Sequence, residues 1–470
     1  MPFFQALKNT LKTFLLSTPI LLSATNYNAA IGGTTPHQKA YAASVSVQSP
    51  PSASSILSTT VNGSIKSIAI DQYGTIFIGG SKNNQAYAAV LASGRVFEIT
   101  LSDVGEVSVI NSVAIYSNSN VATYVIFGGS ETIQTVETAY ASGCLILFND
   151  FESLSANKIP LTIESPSKIN SVAISNSHFI LAGHQTLNGA QAAYAAAAKI
   201  SNYQTTGLNT ISFSPATPTE IKSVAINSDK LIILGGDKTT NPSAAYAGVV
   251  DADSYNMTAQ DISPDMNVAT SITSVGINND NQIILGGYRS YSSPPQQPTA
   301  YAGRYVGSTL YPIKLPSNPS QAPQEIQSVD INDSGQIILG GKGFHGAAYA
   351  ATYDPVQLTT NQITLPNTPF PSEINSVAIN DSGQIILGGF TQNSFAMTRS
   401  GYAATVTLPV GSSEMPRATE ITLTNTSEIL SVAINNVSKT SGNGTSTNGS
   451  GGTGGATTKN TSTGNGRGTN

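Results

Sequence analysis

Eight times along this chain an apolar run ends in a Gly-Gly pair, once varied to Ala182-Gly183, and each time a Tyr preceded by Ala or Gly follows within about fifteen residues. The doublets close at Gly33, Gly80, Gly129, Gly183, Gly236, Gly287, Gly341 and Gly389, and the tyrosines are Tyr41, Tyr87, Tyr140, Tyr194, Tyr246, Tyr301, Tyr349 and Tyr402. Repeats of this kind bury their apolar faces against neighbours of the same kind, so the chain must stack or close copies of one unit. Architecture is therefore far more constrained than chemistry.

A second motif, Ile-x-Ser-Val-Ala-Ile-Asn with variants, also occurs eight times, starting at Ile65, Ile110, Ile169, Ile221, Ile272, Ile326, Ile374 and Ile429, with a mean period of about 52 residues. Its cleanest copy runs from Ile374 through Asn380-Asp381-Ser382-Gly383 to Ile385-Ile-Leu-Gly-Gly389, then Gly401-Tyr-Ala-Ala-Thr-Val-Thr-Leu408 and Glu420-Ile-Thr-Leu423. Short runs rich in Val, Ile, Thr and Tyr, bounded by Asn, Asp, Gly and Pro, predict four strands per unit. The Asn-Asp-Ser-Gly segment predicts a tight turn between the first two. The Ile-Ile-Leu-Gly strand is apolar on both faces, which predicts cover from both sides.

A period near fifty with four strands per unit suits a propeller blade, and not a helical solenoid or the much shorter coil of a β-helix. The pattern begins at a second strand, Asn26 to Gly33, and ends after a first strand, Ile429 to Asn436. The expected fold is thus all-β: a single eight-bladed β-propeller of four-stranded blades. Its ring closes when the C-terminal strand pairs with the N-terminal strands, removing the open edges that invite aggregation.

From Ser376 to Gly389 the unit resembles the delta-type propeller repeats of secreted bacterial proteins, and Leu339-Gly340-Gly341 followed by Tyr349 is similar to a kelch repeat. The resemblance covers residues 26 to 436 and implies a propeller; both families host varied binding roles, so it implies no particular ligand.

The termini differ from the repeat. Lys8 and Lys12 precede the apolar Phe14 to Leu22, and small residues follow near Ala24, so residues 1–24 resemble a secretory signal. The expected domains are that signal, the propeller over 25–436, and a tail over 437–470 made almost entirely of Gly, Ser, Thr and Asn, a composition that predicts a flexible tether. This makes a secreted, periplasmic or cell-surface location the expected one. No apolar stretch is long enough to span a membrane as a helix. Charged residues are 10% of the chain against the roughly 25% usual in soluble domains, and the net charge is −5 with no basic cluster, which argues against nucleic acid. The single cysteine, Cys144, excludes an intramolecular disulfide and reads as a small buried hydrophobe.

Variation between copies points to a binding face. The turn after Ser-Val-Ala-Ile hardly changes length, whereas the link from doublet to Tyr ranges from seven residues (Gly80 to Tyr87) to fourteen (Gly287 to Tyr301). In an up-and-down blade the second-to-third and fourth-to-first links emerge on one face, and loops on rigid scaffolds carry binding. The candidate ligand-binding residues there are His184, Tyr288, Arg289, Tyr291, Lys342, Phe344, His345, Phe390 and Arg399, a mixture of aromatic, cationic and imidazole groups suited to a glycan or a protein anchor.

Asp330 is the outlier of the inner strand, replacing the Ala of Ser-Val-Ala-Ile, with Arg304 as a possible partner. No catalytic constellation, no cofactor motif and no metal-ligand spacing stands out, and the acidic turns at Asp333 and Asp381 read as Asx turns. The expected function is binding of a glycan or protein by a monomeric propeller. The alternatives are a polysaccharide hydrolase or lyase acting around Asp330, or a purely structural scaffold.

Overall fold

The computed structural model describes residues 29–435 except 47–50, 58–61, 120–121, 148–150, 152, 202–203, 206, 215–216, 239–243, 255–256, 266–268, 291–296, 308, 317–321, 367, 370, 394–397, 409–415 and 425. The signal-like start, the polar tail and Tyr291 lie outside the described residues.

Eight sheets, each built on four antiparallel strands, form an eight-bladed β-propeller. We number the blades by their innermost strands, a, which begin at Gly63, Val107, Ser167, Pro218, Ser271, Pro323, Ser372 and Glu428 for blades 1 to 8; strands b, c and d follow outward. Blade 8 is composite: strand a is Glu428–Ile434, whereas b, c and d are Ala29–Thr34, Ala40–Ser46 and Ser52–Leu57. Its two chain ends pair antiparallel, Ala29 with Ile434 through Thr34 with Glu428, which is the closure that the repeat predicts. Blades 2, 3 and 4 carry a fifth short strand. In blades 2 and 4 it comes from the preceding link, Thr100–Leu101 and Ser212–Phe213, which add in parallel to the outer strand.

There is no single core. Eight apolar clusters each span one interface between adjacent blades, so every blade depends on both neighbours. The two glycines of the doublet serve different contacts in these interfaces. A Cβ on the first would lie 2.4–2.6 Å from a side-chain methyl of the next blade's strand a, such as Ile272 and Val275 facing Gly235. At Ala182 that Cβ is present, packed with Ile221 and Val224. A Cβ on the second would meet a backbone carbonyl of its own strand a at 1.9–2.1 Å, because strand a bulges there, between Ile221 and Ser223 in blade 4. Only glycine fits, and all eight copies have it.

The serine of Ser-Val-Ala-Ile closes a second circuit. Each Ser Oγ accepts a hydrogen bond from a backbone N–H in strand a of the next blade: Ser67 from Val113, Ser112 from Val172, Ser171 from Val224, Ser223 from Val275, Ser274 from Val329, Ser328 from Val377, Ser376 from Val432, and Ser431 from Ile68. The last bond joins the C-terminal strand to blade 1. Inner strands lie too far apart to pair as a sheet, so a short hydroxyl satisfies a donor that the ladder leaves open.

At the opposite end of strand a, Asn227, Asn278, Asn332 and Asn380 accept a backbone N–H through Oδ1 to make the a–b turn. Through Nδ2 each donates to the carbonyl of its counterpart in the following blade, ending on Asn435. The acidic turn residues do similar work, Asp381 accepting from Asp333 N–H and Asp333 from Asn279 N–H. Along blades 4 to 8 this face is uniform because these side chains hold the ring together; blade 1 turns on Asp71 and blade 3 on Ser175, and blade 2 extends its a–b hairpin to Ser119 and Ala122. Cys144 is buried in strand c of blade 2, and burial pushes its thiol pKa up to about 12.

Candidate functional site: the variable-loop face

On the other face the doublets lead into the b–c links, and the sequence-predicted residues fall into separate groups. Lys342, Phe390 and Arg399 belong to blades 6 and 7 and share an arc of the channel mouth with Glu325, Glu373 and Glu428. Lys342 stands across the ladder from Glu325, and Phe390 across from Glu373. The Arg399 guanidinium lies 4.2 Å from the centre of the Phe390 ring, with Nη1 3.5 Å from Glu428 Oε2. Phe390 is buried beneath that cation, so its ring is a platform for Arg399 and not an open stacking surface.

Phe344 and His345 form a 3-10 turn after strand b of blade 6, their ring centroids 3.9 Å apart, with His345 exposed at φ 56°. His184 lies in blade 3, its Nδ1 3.5 Å from Glu220 Oε1. Tyr288 and Arg289 end strand b of blade 5, opposite Ala300 and Thr299. The eight described candidates are thus spread over blades 3, 5, 6 and 7.

The glutamates were not singled out from the sequence, yet a signal existed: Glu-Ile opens strand a at Glu220, Glu325, Glu373 and Glu428. In three of these the bulged residue of the preceding blade donates its amide to the carboxylate. Asn170 Nδ2 lies 2.8 Å from Glu220 Oε1, Asn375 Nδ2 lies 3.0 Å from Glu428 Oε1, and Gln327 Nε2 bonds Glu373 Oε1. The neighbouring His184 and the Asn170 amide hold the Glu220 carboxyl below its usual range. Burial raises Glu325 and Glu373, the latter despite Lys342 and with help from the negative charges of Glu325 and Glu428. The mouth therefore carries a hydrogen-bonded acidic arc with Lys342 and Arg399 set into it.

A groove of about 740 Å³ opens on the same face between blades 8 and 1, lined by His37, Gln38, Asn62, Ser64, Asn83 and Asn84 among others. Amides and hydroxyls in turns are too common for sequence to single these out.

Asp330 lies on the inner wall of blade 6, partly open to the channel. Its Oδ2 accepts the Ile379 N–H at 2.9 Å from blade 7, and Oδ1 accepts its own neighbour, Ile331 N–H, at 2.9 Å. It extends the serine circuit by one rung. Arg304 is in strand c of blade 5, across from Ile284 and Tyr311, and forms no ion pair with Asp330 among the described residues. Burial pushes the Asp330 pKa up to about 6, against the pull of its two backbone donors. The folded protein thus holds this proton more tightly than the unfolded chain does. Stability is expected to rise as pH falls from about 6 towards 4, on the order of 2–3 kcal/mol in total, and the cost of the ionised carboxylate is carried at higher pH. Measured against Asp330→Ala, wild type should gain melting temperature between neutral and acidic buffer; parallel pH profiles would refute this.

No protein-family model and no curated protein matches the chain. Among solved structures it is similar to a putative 6-phosphogluconolactonase from Bacteroides uniformis, at 12% identity and TM-score 0.44 over 86% of this chain and 98% of the other. It is similar to the β-propeller domain of the trilobed protease from Pyrococcus furiosus at 8% identity and TM-score 0.39, over 63% and 82%. An α-L-arabinofuranosidase from Fusarium graminearum gives 8% and 0.37, over 63% and 92%.

Proposed function

We propose that this propeller is a secreted or surface-exposed bacterial binding protein, of the delta-type repeat kind, that recognises its ligand through the variable-loop face. One observation carries the reading. On the a–b turn face the same Asn bridge passes from blade to blade along blades 4 to 8, whereas on the b–c face the residue after each doublet changes freely from Thr34 and Ser81 to His184, Tyr288, Lys342 and Phe390. A scaffold under constraint on one face and free on the other is built to present loops. The signal-like start supports export. Both oxygens of Asp330 are engaged by backbone N–H groups, an inter-blade latch, which lends no support to a hydrolase or lyase acting there.

Replacing the b–c links of blades 5 to 7 with the two-residue Asn83-Asn84 link of blade 1 is expected to abolish ligand capture in a combined glycan and peptide array while leaving melting unchanged. Identical array profiles for the two proteins would defeat the reading. An intact mass of the exported protein lacking about two dozen N-terminal residues would check the location.

A further inference from the structure

The b–c hairpins of blades 2 and 3 are unlike the rest. The sequence shows eleven residues from doublet to Tyr in each, which reads as a longer loop, but the chain keeps pairing and turns in two residues, Gln134-Thr135 and Asn188-Gly189. Strand b runs four residues past the doublet, to Ile133 and Leu187, against two in blade 1, so these hairpins stand about 7 Å further out. They are adjacent: the link that enters blade 3 touches both, Ser165 Oγ lying 3.1 Å from Thr138 Oγ1 and Glu164 N–H donating to Gln185 Oε1 at 3.3 Å.

The ends of these hairpins are apolar and uncovered. Ile133 and Val136, a cross-strand pair, are 47% and 40% exposed; Val107 beside them is 54% and Leu187 38%. A projecting hairpin gains nothing for its own stability from such residues, and an exposed apolar edge is an aggregation liability.

The turn is a second, independent anomaly. Both of its residues adopt positive φ, 48° at Gln134 and 74° at Thr135. A two-residue hairpin turn of this kind favours Asn and Gly, and the same chain uses Asn83-Asn84 and Asn188-Gly189 in the equivalent places. A β-branched residue in the left-handed region is strained, and such strain persists where function retains it.

Charge indicates what would cover the tip. Glu106, Glu137 and Glu164 are exposed around it, and none pairs with a cation among the described residues; Lys168 on the adjoining strand forms no ion pair with them. The tip offers no aromatic ring for a sugar to stack on. We propose that this tip docks a protein segment whose apolar side chains are flanked by Lys and Arg. The inference rests on the binding reading above and names its partner class. Apolar contact at the centre would supply affinity, and the carboxylate rim would supply orientation and association rate.

The probes are two libraries of short fluorescent peptides, one with Leu, Val and Phe flanked by Lys and Arg, the other with the same residues flanked by Asp and Glu, read by anisotropy on the full chain. Members of the basic library are expected to bind and the acidic library not. Ile133→Ser with Val136→Ser should weaken binding at least tenfold without moving the melting temperature. Glu106→Gln, Glu137→Gln and Glu164→Gln together should weaken it several-fold and flatten its dependence on salt. Because those changes are at exposed positions, folding is preserved, and Gln134→Asn with Thr135→Gly serves as a second check: it should raise the melting temperature and weaken binding. Equal binding of both libraries, no binding by either, or insensitivity to the tip substitutions would overturn the proposal. Neutral oligosaccharides that bind and are lost only on replacing the blade 5 to 7 links would overturn it too, while leaving the broader reading intact.

Discussion

Gly236→Ala is expected to destabilise the protein by about 3 kcal/mol or more, whereas Gly235→Ala, one residue earlier, should cost less than about 1.5 kcal/mol. The two substitutions add the same methyl group to neighbouring positions. At Gly236 the new Cβ would lie 1.9 Å from the Glu220 carbonyl oxygen and 3.0 Å from Ile221 Cα, so the bulge itself would have to move, and with it the inner strand that Ser171 and Ser223 tie to both neighbours. At Gly235 the methyl would meet Val275 Cγ1 at 2.5 Å and Ile272 Cγ2 at 2.7 Å, atoms at side-chain ends, and Ala182 shows the equivalent contact accommodated. Denaturant midpoints of the two variants test this directly. Equal losses would mean that blade spacing, and not the bulge, is what requires glycine.

Deleting Glu428 to Asn435 is expected to make the protein aggregation-prone. The deletion removes the whole register from Ala29–Ile434 to Thr34–Glu428 and bares the edge of Ala29–Thr34. It also breaks two of the eight serine bonds, those from Val432 to Ser376 and from Ile68 to Ser431, and withdraws Ile429 and Val432 from Gly388. A ring in which each blade relies on both neighbours loses two interfaces at once when one inner strand is absent. Size-exclusion chromatography and thermal melting provide the readout. A monomeric variant that melts like the parent would show that the ring tolerates an open seam.

The order of strands within a blade, the count of blades and the composite eighth blade were legible in the chain because each depends on local signals. Asn-Asp-Ser-Gly specifies a turn by its own dihedrals, Ile-Ile-Leu specifies a doubly covered strand, and a lone Ile429 motif at one end matches a missing first strand at the other. The candidate site was less legible. The described residues chosen for their chemistry lie at or near the b–c ends of blades 3, 5, 6 and 7, but Phe390 is covered by Arg399, and the acidic arc of Glu325, Glu373 and Glu428 emerges only when blades are set side by side. Link length also misled. The added residues of blades 2 and 3 extend strands and lengthen no loop; Asn188-Gly189 is a hairpin signal that the blade 3 sequence did carry, whereas Gln134-Thr135 in blade 2 is not a recognisable hairpin turn by composition.

Periodicity of apolar residues and the conformational limits of Gly, Asn and Asp act over a few positions, so the amino-acid order alone determined a closed eight-fold ring of small antiparallel sheets. What each side chain bonds to about fifty residues away is a matter of distance in space, and spacing along the chain does not encode it. Only the tertiary structure decided that Ser67 and its seven counterparts stitch one blade to the next, that Asp330 joins that stitch without Arg304, and that a strained apolar hairpin stands clear of the rim between flanking carboxylates.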